Sequence, residues 1–373
     1  MKLVIRMKPS TRPPPLTLPT LLLSAALAVT ACGDGQGEDT ESSTSANSES
    51  SSESVGPGTT DDPGPKLEPL TWETSLEVGE EVGSFFGIWG TAADDMIAVG
   101  GQFDAGVIYR YDGESWAPDT IGFPVPRLNW VHGVDGHVVI VGHFGFALHL
   151  DPDGSWVRDM TPDDQALWGV WGAAADDLWA VGGSGGNDLP PLVLHYDGEA
   201  WSEFPLPPLE SEGGALFKVW GTGADDVFAV GDRGLVVHFD GGAWVEETST
   251  TLSSIIGVWG HPDHDVVIAG GRATGVVGRR TPNGWFSQRY DMHEGFDGVF
   301  VDADGIATVV GIRGFAARFL PGSLEFTQDE TPTILELHSV YGLPDGHQFA
   351  VGGFFNSSPY YGVILKRPPP PAG

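Results

Sequence analysis

The sequence is short of four things, and each shortage excludes a class of protein. It has one cysteine, Cys32, in 373 residues, so no internal disulfide can staple the fold. Basic residues are few: 18 Lys and Arg stand against 51 Asp and Glu, for a formal net charge of −33. Such a surface argues against nucleic acid or anionic lipid as the main partner. No apolar run reaches the about 20 residues that span a bilayer; the run from Leu16 to Ala31 is shorter and contains Pro19. Finally, no nucleophile motif, phosphate loop or H-E-x-x-H signature is present.

The ends of the chain are compositionally distinct. Residues 1–31 carry Lys2, Arg6, Lys8 and Arg12, no acid, and then the apolar run, which is the pattern of a secretory signal peptide. The run ends at Val29-Thr30-Ala31-Cys32, which resembles a bacterial lipobox and implies lipidation of Cys32. Loss of the leader removes four basic residues and leaves 14 − 51 = −37. Residues 32–69 are rich in serine and acids and nearly devoid of apolar residues before Leu67. Such a segment cannot offset its ordering entropy by burial and is expected to be a disordered tether, spanning roughly 30–40 Å. Residues 368–373 form a proline-rich tail.

Between them the chain repeats. Aligned on the dipeptides ending at Gly100, Gly142, Gly182, Gly231, Gly270, Gly311 and Gly352, seven copies follow at spacings of 42, 40, 49, 39, 41 and 41 residues. The copy from Val219 to Thr248 holds four short strand-like runs separated by turn sequences, with no helical period. Four strands every 40-odd residues is the blade of a β-propeller. Large rings recur eleven residues before the marker glycine (Trp89, Trp171, Trp220, Trp259, Phe300, Tyr341, with His132 in the second copy). They recur again in the fourth strands, at Trp116, Trp156, Trp201, Trp244, Trp285 and Phe326. These positions account for ten of the thirteen tryptophans once Trp72 is included, and they are assigned to core packing.

The seventh copy ends at Arg367 without a fourth strand, whereas Leu70 to Ser75 has the pattern of one. The fold class is therefore all-β: a seven-bladed β-propeller over residues 70–367, closed by an N-terminal strand that completes the last blade. Closure removes open sheet edges, and a monomer is expected. The units "WGTAADDMIAVGG", "WGAAADDLWAVGG" and "WGTGADDVFAVGD", each followed by a "YDGESW"-like segment, resemble the W-G-x4-D-V-W-A-V-G repeats of myxobacterial secreted propeller lipoproteins. The match weakens in the sixth copy, where Val301 replaces the glycine. The resemblance implies a fold and an extracytoplasmic setting, anchored to a membrane through lipid, with Gly33 after the cysteine leaning towards an outer membrane.

Candidate sites fall on the face formed by the second-to-third-strand loops and the blade-to-blade connections. Arg233, Arg272 and Arg313 stand two residues after the marker glycine in three consecutive copies. They suit an anionic ligand, or they are solvated turn residues paired with local acids. The last long loop brings Phe354, Phe355, Tyr360 and Tyr361. His261-Pro262-Asp263-His264-Asp265 crowds ligand-type residues but occupies a turn, and no metal or cofactor is assigned. His149, His195 and His238 alternate with Arg110, Arg280, Arg318 and Lys366 at one third-strand position, which reads as packing with a polar tip. The "DGESW" segments lack the leading Ser/Thr of sialidase Asp-boxes. The expected function is a binding or scaffolding module for a protein or glycan, rather than an enzyme; the alternative is a propeller hydrolase or lyase acting on polysaccharide.

Overall fold

The computed structural model describes residues 66–184, 189–211 and 213–369. Cys32, the leader and most of the serine-rich segment lie outside the described residues. Seven four-stranded antiparallel sheets follow one another along the chain. Blade one runs from Ser84 to Pro118, blade two from Leu128 to Asp159 and blade three from Leu167 to Glu203. Blade four runs from Leu216 to Glu246, blade five from Ile255 to Tyr290 and blade six from Phe296 to Gln328. Blade seven takes three strands from Glu336–Arg367 and its fourth from Glu73–Val78. First strands of neighbouring blades touch all the way round, so they form the wall of a central channel.

The closing strand starts three residues later than the Leu70 start predicted from sequence. Residues Leu70 to Trp72 bond sideways to blade six instead. Leu70 N–H donates to Asp329 Oδ1 (2.9 Å), Glu330 N–H to Leu70 O (2.8 Å), and Trp72 N–H to Glu330 O (2.9 Å). Contacts with the ring begin earlier still, where Leu67 O accepts from Thr327 Oγ1 at 3.0 Å and Glu68 O accepts from Arg318. The ladder then pairs Glu73 with Lys366, which sets Trp72 against Arg367 as Trp244 is set against Phe239 in blade four. Trp72 is 1% exposed and packs with Leu337, Val363 and Leu365 of its own blade and Phe300 and Val310 of blade six.

The repeated W-G dipeptide has a steric cause. A Cβ on Gly133 would lie 2.3 Å from the Trp89 ring of the preceding blade, and one on Gly342 equally close to Phe300. Trp171 and Trp220 lie in the same way against Gly221 and Gly260 of the next blade. Where Val301 stands in that place, Trp259 lies against Phe300 (5.4 Å) and reaches Tyr341 of blade seven (5.9 Å). The D-G-x-x-W segments are turns. The side chains of Asp112, Asp197 and Asp240 each accept two backbone N–H bonds, and the glycine that follows takes a left-handed φ near 90°.

The outer rim is tied by a second recurrent device, three residues beyond the fourth-strand aromatic. Trp116 Nε1 donates to Ser75 Oγ (2.9 Å), Trp156 Nε1 to Asp119 Oδ2 (2.9 Å), and Trp285 Nε1 to Glu247 Oε2 (2.7 Å), each reaching back one blade. Third-strand bases of the acid's own blade bind the same positions: Arg110 to Asp119 (2.6 Å), His149 to Asp159 (2.7 Å), Arg318 to Asp329 (2.9 Å). Glu247 takes His238 from its own blade (3.2 Å) and Arg280 from blade five (2.8 Å). Burial opposes its charge, but the bonds from His238, Arg280 and Trp285 prevail and hold it at about 2. The predicted equivalence at the third-strand position needs one correction. In blade five the ladder places Arg279 there, and Arg280, one residue on, faces back to blade four.

Candidate binding face and channel

In every blade the ladder between first and second strands skips one residue: Phe86, Asn129, Trp168, Phe217, Ile256, Asp297 and His338. A bulge leaves its residue unpaired and re-aims the side chain. Here the seven side chains sit on the channel wall, three residues before the first-strand aromatic. Neighbours meet across blade boundaries: Phe86 stacks on His338 (4.8 Å), Trp168 sits edge-on to Phe217 (6.3 Å), and Asn129 Nδ2 donates to Leu167 O (2.8 Å). The residue after each bulge is usually glycine, because the next first strand passes close by. A Cβ on Gly87 would stand 2.9 Å from Trp130 Cα. Three copies break this rule, with Trp130, Lys218 and Ser339, and the first two pair, with Lys218 Nζ 3.9 Å from the Trp130 ring centroid. Lys218 also donates to Trp168 O (3.2 Å).

The channel mouth is cationic and aromatic on the face of the long loops. Arg127, from the connection between blades one and two, lies 4.8 Å over Phe86 and 5.3 Å over Phe355. Its Nε donates to His143 Nε2 at 3.1 Å, which makes that nitrogen an acceptor and places the His143 proton on Nδ1. Burial, and then the Arg127 charge, push His143 down to about 4. Burial pushes Lys218 down to about 7, against the pull of Asp297. On the opposite wall Asp297 is raised by burial and then by the neighbouring Glu336 charge, and Glu336 itself is raised by burial. A cavity of about 650 Å3 opens beside this group, between His143, Trp168, Leu189, Phe217, Asp232 and Arg272.

That face is also where apolar surface is exposed. The second-to-third-strand loops bond the connections that precede their blades: His143 N–H to Arg127 O, Asp232 N–H to Ala215 O, Gly271 N–H to Ser254 O and Ile312 N–H to Gly295 O. These two sets of segments carry nine of the eleven large hydrophobics that stand exposed among the described residues, and only Val245 and Phe286 lie elsewhere. Phe103 (56%), Phe144 (53%), Leu189 (47%) and Tyr361 (45%) surround the mouth region, with Met160, Leu252, Met292, Ile334 and Phe354 beyond them.

The residues singled out in the sequence do not form one cluster. Arg272 lines the cavity. Arg313 is exposed and pairs with Glu294 (3.0 Å) in a separate depression. Arg233 and Arg313 both occupy left-handed turn corners, at φ 52° and 59°, as does Phe144 at the matching place in blade two. In the blade-seven loop, Phe355 packs edge-on against Phe86 and His338 (both 5.1 Å). Phe354 and Tyr361 face each other across the hairpin and are exposed. His261 and His264 serve their turns, bonding Asp263 N–H and Ala303 O. Sequence reasoning missed Arg127, Trp168, Lys218, Asp297 and His338. The signal was there: Trp130 and Trp168 are two of the three tryptophans that the repeat does not explain, and Lys218 interrupts a run of small residues.

No family model matches the chain, and no curated protein matches it. Solved structures do. The chain is similar to a structure described as YCF48 bound to D1 peptide, at 16% identity and a TM-score of 0.60, covering 83% of this chain and 99% of that one. It is similar to YCF48 from Cyanidioschyzon merolae, at 16% identity and a TM-score of 0.59, covering 80% and 98%. It also matches the extracellular domain of the putative hybrid two-component system BT4673 from B. thetaiotaomicron, at 11% identity and a TM-score of 0.57. There it covers 79% of this chain and spans 39% of the other. These likenesses establish the β-propeller fold.

Proposed function

We propose that the protein is an extracytoplasmic binding module, anchored through Cys32, that takes a segment of another protein on the long-loop face over the channel mouth. The observation that carries this is the gathering of nine exposed large hydrophobics on one end of the ring. Patches of that kind mark interaction surfaces, and aliphatic members such as Leu189, Leu252, Met292 and Ile334 suit a polypeptide better than a sugar. Arg127, Lys218 and Arg272 add positive charge around the mouth of an otherwise acidic molecule, which favours a partner with carboxylate groups. Peptide binding described for a structural neighbour, YCF48, agrees with this reading. Catalysis on polysaccharide finds less support, because Asp297 and Glu336 lie side by side on one wall of the channel rather than across a cleft.

Peptide and oligosaccharide arrays probed with the full chain test the proposal. Acidic peptides with apolar flanks are expected to bind, and Trp168→Ala or Arg127→Ala to weaken them at least tenfold. Binding confined to oligosaccharides, or binding that both variants retain, would overturn it.

A further inference from the structure

Deeper in the channel the bulges of blades six and seven place three ligand-type side chains together. One donor atom each of Asp297, Glu336 and His338 lies within 4.8 Å of the others. Three features distinguish the group from an ordinary acidic surface cluster. Asp297 is 6% exposed, and its Oδ2 has no hydrogen-bond partner among the described residues. The His338 side chain is 10% exposed, and its Nε2 likewise has none. The imidazole is also held in place, with Phe86 stacked on one face at 4.8 Å and Phe355 against it edge-on at 5.1 Å. Buried polar atoms ordinarily find partners, and here two members of one cluster each keep an unpaired atom while His338 Nδ1 stands 3.7 Å from Glu336 Oε1.

The charges select the kind of occupant. Asp297 and Glu336 stand within hydrogen-bonding reach of each other, a contact that needs a shared proton because two ionised carboxylates this close repel, and neither has an ion pair to Lys218 or Arg272 among the described residues. A divalent cation bound between them would replace that proton, satisfy both carboxylates and take one imidazole nitrogen. One nitrogen and two carboxylate donors suit a borderline transition ion such as Zn2+ or Mn2+ better than Ca2+.

We propose that Asp297, Glu336 and His338 form a site for a divalent transition-metal ion inside the central channel. Three side chains leave coordination positions open towards the mouth, so the ion would form the floor of the binding face. The site stands independently of what the face binds. Co2+ serves as the probe: the full-length protein, stripped with chelator, is titrated at neutral pH and followed by visible absorption and calorimetry. One equivalent is expected, with ligand-field bands of a nitrogen–oxygen site and displacement by Zn2+. Asp297→Asn and His338→Gln should each weaken binding at least tenfold, while His261→Ala and His264→Ala leave it unchanged. Absence of binding by the unaltered protein would overturn the proposal. So would binding that persists in Asp297→Asn and His338→Gln, since the metal would then sit elsewhere on an acidic chain.

Discussion

The rim and the channel are built from the same residue types and treat them in opposite ways. At the rim, Glu247 accepts from an imidazole, a guanidinium and an indole, each from a defined strand. In the channel, Asp297 and His338 retain atoms with no partner, and the acid that matches Glu247 in kind is raised instead of lowered. Satisfied polar networks hold blades together. Unpaired buried atoms also occur among the fourth-strand rings, at Trp72, Trp201 and Trp244, but in the channel they fall on clustered ligand-type side chains in a hollow ringed by aromatics, which is what the proposed binding uses. The proposed division makes the rim the structural half of the molecule and the channel face the half that binds.

The largest test of that division lies at the closure. Trp72→Ala empties a fully buried site shared by blades six and seven and is expected to cost about 3–5 kcal/mol in denaturant unfolding. A loss well below that would mean that the ring holds without its last strand. Next comes Glu247→Gln. A fall from 4.5 to about 2 corresponds to roughly 3 kcal/mol, and the sign of its pH dependence is fixed. Glu247 has a depressed value, so its stabilisation is present above 4.5 and is lost as pH falls towards 2. His238 is raised, because its bonds to Glu247 and Asp226 outweigh burial, so its share is present below 6.5 and is lost as pH rises through the raised value. The gap between parent and variant in thermal melts should be widest between about pH 4.5 and 6.5; a gap independent of pH would contradict the coupling.

Smaller effects on stability sharpen the other side of the comparison. Trp168 is only half-buried, with one hydrogen bond to Gly183 O at 3.0 Å. Trp168→Ala should lower stability by about 1 kcal/mol or less, while its effect on peptide binding is large. Smallest is Arg313→Ala, whose exposed ion pair with Glu294 is worth about 0–1 kcal/mol; a shift in melting beyond a few degrees would show that this corner does more than bear a surface charge.

What could be read from the sequence follows the same division. The repeat declares the blades because packing favours one residue type at one position in most copies: an aromatic ring beside a glycine in the first strand, and an aromatic in the fourth. Even the closing strand was legible through Trp72, although its sideways bonds to blade six moved the strand start to Glu73. The channel residues differ from blade to blade, as the proposed binding role allows, since a site for one ligand has no reason to repeat. Phe86, Trp168, Asp297 and His338 share a position but no chemistry, and only the bulge that unites them reveals them as one wall. The arginines at matching turn corners show the converse. Regular spacing placed Arg233, Arg272 and Arg313 alike on the chain, yet Arg272 alone of the three lines the cavity beside the channel mouth.

The division is tested most directly by one paired measurement: affinity for an array-selected peptide and melting temperature, taken together on Trp168→Ala and Trp285→Ala. Trp285 is 5% exposed and bonds Glu247 across the rim. The expected result is a crossover, with Trp168→Ala losing at least tenfold in affinity at nearly unchanged melting, and Trp285→Ala losing several degrees at unchanged affinity. Loss of affinity and of melting temperature together in both variants, or the reverse assignment, would contradict the separation of a structural rim from a binding channel.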